Sequence, residues 1–166
     1  MPENEKVDSL FFATEVLMTW LALSEEFGNT PEELARLEKC RERKGELVFD
    51  QLQKTLKIPA GSDPFTVVKT LGDYLTKIGF AKFEVQKVSD TELLRDWDGS
   101  IMRPILPIVR SLGNKVFPAP SSVIFNTALR KLCNMKAERV EVPEHLKAGV
   151  TKGLEREMLR LSPIKK

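Results

Sequence analysis

Three arginines in one stretch of the chain are suited to gripping an anion. Arg103, Arg110 and Arg130 lie in SIMRPILPIVRSLGNKVFPAPSSVIFNTALRKLCNMKA, residues 100–137, which contains no Asp and no Glu. A guanidinium meets a carboxylate or phosphate through two parallel N–H donors. The rest of the chain is densely charged with both signs, so an apolar segment with cations alone suits a ligand that is itself apolar with an anionic group. Each arginine taken singly also reads as a plain solubilising residue. Two buried helices whose long cations reach out to water would have the same composition.

A second pair of residues suggests acid–base chemistry. Asp96 and Asp98 flank Trp97, and on a strand their carboxylates share one face, where a neighbouring like charge raises one pKa. Two exposed turn carboxylates are the plainer alternative. Cys133 follows Arg130 and Lys131 at the expected end of a helix, whereas a reactive thiol favours a helix N-terminus; it reads as a structural cysteine. Cys40 lies in a charged helix. The single histidine, His145, sits in a charged Pro-Glu-His-Leu context with no marked nucleophile beside it. GxSxG, GxxxxGK[ST], HExxH and GxGxxG are all absent. Without CxxC and with one histidine, no metal site and no cofactor are expected.

The elements that must position these residues follow from composition and pattern. At 166 residues with a charge of +2, the chain is expected to form a single domain, 1–166, with a disordered lead at 1–6 and a C-terminal tail at 144–166 that fits either helix or strand. The first half carries a modest acidic excess and the second half a basic one. Basic clusters interleaved with aromatics are lacking, so no nucleic-acid partner is expected. No run is apolar and long enough for a bilayer, the N-terminus lacks a signal-peptide pattern, and two thiols suit a reducing cytoplasm.

In chain order, Asp8 and Ser9 cap a first helix that is apolar on two faces and ends at Gly28. Thr30-Pro31-Glu32-Glu33 is a capping box with proline at the first helical position, and it opens a long charged helix. Gly45 within that helix marks a kink or a close approach to another helix. Asp63-Pro64 opens a third helix, closed by Gly79. Phe80–Ser89 and Thr91–Trp97 read as an antiparallel hairpin. Residues 102–112 are broken by Pro104 and Pro107. Ser121 or Ser122 caps a helix to Leu132, and Glu138–Val142 reads as a strand. In the tail, Leu146, Val150, Leu154, Met158 and Leu161 recur at helical spacing, while Leu159 and Leu161 alternate.

The order EEFGNTPE, LQKTLKI, DPFTVVKTL, LTKIGF and FEVQKVSD resembles the L-2-amino-thiazoline-4-carboxylic acid hydrolase-like family and, more distantly, the 4-vinyl reductase domains. The resemblance covers roughly residues 9–97, weakening toward 142. Members commonly carry a Cys-Pro after the second hairpin strand and further C-terminal cysteines. Here the corresponding stretch is RDWDGSIMRP, and only Cys133 follows. The resemblance therefore implies a fold, with a ligand cavity between helices and sheet, and does not carry the hydrolase activity over.

The resulting expectation is an α+β domain, mostly helical, with about five helices on a small antiparallel sheet. Its first functional reading is a cytoplasmic binding or sensory domain for a small apolar anion held by Arg103, Arg110 and Arg130. The alternatives are a hydrolase of a small cyclic amide or thiazoline acid using Asp96 and Asp98, and a structural dimer or adaptor. The two apolar faces of the first helix point to a homodimer.

Overall fold

The computed structural model describes residues 15–16, 18–23, 25–100, 120–148 and 154–164. The expected lead at 1–6, the Asp8–Ser9 cap and the proline-broken segment 102–112, with Arg103 and Arg110, lie outside the described residues. Within them the fold is α+β and mostly helical: four α-helices on one four-stranded antiparallel sheet. The helices are α1 (15–16, 18–23 and 25–27), α2 (Pro31–Leu56), α3 (Pro64–Lys77) and α4 (Pro120–Cys133). The strands are β1 (Lys82–Lys87), β2 (Glu92–Asp98), β3 (Met135–Val140) and β4 (Glu155–Pro163), in spatial order β1-β2-β4-β3.

Local chemistry starts α2 and α3 where the sequence placed them. The Thr30 side chain accepts from the Glu33 N–H, and the Glu33 carboxylate accepts from the Thr30 N–H, which completes the capping box ahead of α2. These hydrogen bonds from Thr30 hold the Glu33 carboxyl below its usual pKa. Asp63 caps α3 by accepting from the Thr66 N–H at 3.0 Å. Gly79 follows α3 at φ 75, a conformation that costs glycine little. α4 begins at Pro120, just ahead of the serines expected to cap it.

The sheet differs from expectation at its centre. The tail at 155–163 is a strand, and it lies between β2 and β3. The helical spacing through Met158 and Leu161 misleads because a central strand is covered on both faces. Glu157, Leu159 and Leu161 are buried toward the helices, and Met158 is buried on the reverse. Such a strand does not alternate apolar with polar. β3 starts at Met135, three residues earlier than expected, directly after a left-handed Asn134 (φ 53).

The core sits between the sheet and α3/α4. Val67, Val68 and Leu71 of α3 and Phe125, Ala128 and Leu129 of α4 pack with Phe83, Leu93, Leu159 and Leu161. α2 packs on α4 and reaches this core through Phe49. α1 packs on α2 in a satellite cluster of Trp20, Leu34 and Leu37. Leu21 of α1 is also buried, whereas Val16, Leu23 and Phe27 are exposed, so among the described residues α1 keeps several apolar side chains uncovered. Among the described residues, no helix is long and apolar enough to cross a membrane.

Candidate anion cleft

Gly45 brings two helices into contact. A Cβ at this position would collide with Val123 Cγ1 and press on Thr127 Oγ1. The missing side chain therefore lets α2 lie against α4, the close approach expected from the sequence. One turn before Gly45 on α2 stand Arg41 and Glu42. Along α4, on the side they overlook, are Asn126, Thr127 and Arg130. With β3 they border a cleft of about 160 Å³ whose apolar lining is Val123, Met135, Ala137 and Ile164 and whose charged lining is Arg41, Glu42, Arg130 and Lys136, the last on a strand position that faces away from the helices.

Carboxylates hold these three cations in place. Arg130 Nη2 donates to Glu46 Oε1 at 2.6 Å, and Arg43 Nη1 donates to the other Glu46 oxygen at 2.9 Å. Those bonds, Arg43 first and then Arg130, keep the Glu46 carboxyl below its usual pKa. Arg41 Nε donates to Glu38 at 2.8 Å, and Lys136 Nζ donates to Glu138 at 2.7 Å. Among the described residues, Arg130 Nε and Nη1 make no protein hydrogen bond and remain available to a ligand. Of the three arginines singled out in the sequence, Arg130 lines this cleft. Arg41 carried no such signal, because it belongs to a mixed charge run; Lys136 lies in the same acid-free stretch, 100–137, but was not among the three anion contacts expected there.

The carboxylate pair lies elsewhere. Asp96 and Asp98 do share a face of β2, on the side away from the main core. Asp96 is buried and chelated by Arg156, with Nε to Oδ1 at 2.7 Å and Nη2 to Oδ2 at 2.5 Å. Arg156 Nη1 also donates to the carbonyls of Leu146 and Ala148, tying the 3₁₀ turn Glu144–Leu146 to the sheet. A general base must offer a lone pair to substrate, and here both Asp96 oxygens accept from one guanidinium. Asp98 accepts from the Gly99 N–H at 2.7 Å at the exposed strand end. His145 is exposed on the 3₁₀ turn. The Cys133 thiol donates to the Ser62 carbonyl at 3.2 Å, and burial raises its pKa. Both features oppose thiolate formation.

Sequence reasoning missed the buried ion pair of the core face. Arg95 Nη2 donates to Glu157 Oε2, the Arg95 guanidinium carbon lies 4.6 Å from the Phe125 ring centroid, and Arg139 Nη1 reaches Glu157 Oε1 at 3.2 Å. The partners are 62 residues apart in sequence, so only knowledge of the β2–β4 register could have joined them.

No protein-family model matches the chain, and no curated protein matches it in sequence. The structure is similar to that of a trafficking protein particle complex subunit 3 from Naegleria fowleri covalently bound to palmitic acid, with a TM-score of 0.57 and 15% sequence identity over 97% of this chain and 99% of that chain. At that identity the likeness is one of fold. The hydrolase-like and 4-vinyl reductase resemblance has no matching family behind it; what is shown is this TRAPP-subunit-like fold.

Proposed function

We propose that the protein is a non-catalytic binding module that holds a small amphipathic anion, a carboxylate or phosphate on an apolar stem, in the cleft between α2, α4 and β3. The observation that carries this reading is the meeting of Arg41 and Arg130, from two helices, over one apolar floor, with Glu42 beside them. Guanidinium groups braced by carboxylates lose little side-chain freedom on gripping a further anion. At about 160 Å³ the cleft has room for roughly five water volumes, enough for a head group and a few carbons. The structurally similar trafficking subunit is covalently bound to palmitic acid, which shares the apolar stem of such a ligand and not its free anionic group. Both cysteines are free, and a reducing, cytoplasmic setting is part of the same reading.

Amide NMR titrations with octanoate, octanol and inorganic phosphate test it. Octanoate should perturb Thr127, Met135 and Ala137 and bind more tightly than either of the others. Arg130→Gln should weaken octanoate about tenfold, the effect of losing a charge-assisted bond. Equal binding of octanol would remove the anion from the proposal, and unperturbed cleft amides would remove the site.

A further inference from the structure

The two edges of the sheet are finished differently. In the β2–β4 ladder the Leu161 N–H donates to the Thr91 carbonyl, so the odd-numbered residues of β4 bond to β2. Its even-numbered residues bond to β3, as the Ile164 N–H to the Asn134 carbonyl shows. The N–H and C=O groups of Met135, Ala137 and Arg139 therefore point out of the sheet. Among the described residues none of those N–H groups has a protein acceptor. At the other edge α3 closes the gap: the outward Phe83 N–H donates to Thr76 Oγ1 at 2.9 Å, and that hydroxyl donates on to the Gly72 carbonyl at 2.9 Å. At β1 a neighbouring helix meets one outward donor, that of Phe83, whereas none of the outward donors of β3 is met among the described residues, and β3 contains no proline.

The residues of β3 specify what fits that row. We propose that β3 pairs antiparallel with β3 of a second copy of this chain, about a two-fold axis through Ala137, to make one sheet continuous across a homodimer. In this register Ala137 faces Ala137 of the partner subunit, and Met135 faces Arg139 of the partner subunit. Every outward N–H and C=O of the strand is then satisfied. On the face away from the helices, Lys136 stands opposite Glu138 of the partner subunit, and Glu138 opposite Lys136 of the partner subunit. Within one chain these two side chains already pair at 2.7 Å; the dimer closes them into a square of alternating sign. Moving the axis by one residue sets Lys136 against Lys136 of the partner subunit, or Glu138 against Glu138 of the partner subunit. Like charges directly opposite are unfavourable, so the charges that blunt this edge toward other strands select its own copy in one register. The isologous geometry is that of a two-fold dimer. The proposal does not rest on the ligand reading, and since Met135, Lys136 and Ala137 also line the cleft, a second strand and a ligand there compete.

Sedimentation velocity over a concentration series tests it with the full chain. The wild type should be a monomer–dimer equilibrium. Ala137→Pro removes an N–H that makes no bond within the monomer, a position where an edge strand accepts proline; it should raise the dimer dissociation constant about 100-fold or more. Lys136→Glu and Glu138→Lys should each raise it at least about tenfold, and the two together should restore most of the loss. Unchanged melting of the dilute variants checks that the monomer stays folded. If Ala137→Pro does not fold, the two charge reversals and their recombination decide. A wild type that is monomeric at every concentration overturns the proposal. So does a dimer indifferent to these changes, such as one formed through Val16, Leu23 and Phe27 on α1.

Discussion

Two successive rungs of the β2–β4 ladder each carry an ion pair, and the pairs differ in almost every respect. Arg95 faces Glu157 toward the helices; Asp96 faces Arg156 on the reverse. The first pair is nearly sealed, with side-chain exposures of 3% and 8%, yet Arg95 Nε and Nη1 have no hydrogen-bond partner. The second is slightly more open, at 14% and 7%, and Arg156 commits Nε, Nη1 and Nη2 to four acceptors. Burial and satisfaction therefore run in opposite directions. A buried charge pair contributes little net stability unless its remaining donors are met. The core-face pair is consequently a poor stabiliser compared with apolar residues of its size, while the reverse-face pair stabilises a turn. Both pairs share one further effect. A one-residue slip of β4 would set Arg95 opposite Arg156, or Asp96 opposite Glu157, so the alternating polarity opposes misregister at the centre of the sheet.

The largest expected effect tests the sealed rung. Glu157→Leu leaves the Arg95 charge buried with only the Phe125 ring against it and should cost about 3–5 kcal/mol in denaturant unfolding. Arg95→Met together with Glu157→Leu should return stability to within about 1 kcal/mol of wild type, or above it. If the single and double variants are equally stable, water already serves Arg95 and the contrast between the rungs disappears.

The satisfied rung should respond less, and locally. Arg156→Met should cost about 2 kcal/mol, the scale of losing charge-assisted hydrogen bonds at a partly open site. It should also speed amide hydrogen exchange from Glu144 to Ala148 while β2 keeps its protection. Exchange in that turn that does not change would show that Arg156 holds Asp96 alone.

These rungs mark where the sequence stopped being legible. Local signals read through: the Thr30 box, the Asp63 cap and the alternation of Phe83 and Val85 are all set by neighbours a few residues away, while Gly45 announced a close approach without naming its partners, Val123 and Thr127 of α4. Arg130 stood out because the stretch of sequence around it holds no acid, although in space it meets Glu46 of another helix, and Arg41, in a mixed charge run, did not stand out. β4 was hidden for a physical reason. Its two faces are both covered, so Glu157, Met158 and Leu159 are buried in succession, and the charges that look like a surface pattern are matched by β2 residues about sixty positions away. β2 breaks the apolar–polar alternation for the same reason, since Leu93 and Leu94 are buried on opposite faces.

The smallest effect gives the most direct reading of the core face. Trp97 stacks on Phe83 with ring centroids 6.5 Å apart, and its Nε1 is buried without a partner. Trp97→Phe keeps a ring in place and deletes the unmet donor. The lost apolar contact and the relieved N–H then oppose each other at similar size, each on the order of 1–2 kcal/mol. The net change in unfolding free energy should be within about 1 kcal/mol, followed by circular dichroism because only Trp20 would remain to fluoresce. A loss well beyond that would mean the indole N–H is satisfied by water. The same water could serve Arg95 beside it, and the two faces of the sheet would then differ in what they bury and not in how well they are hydrogen-bonded.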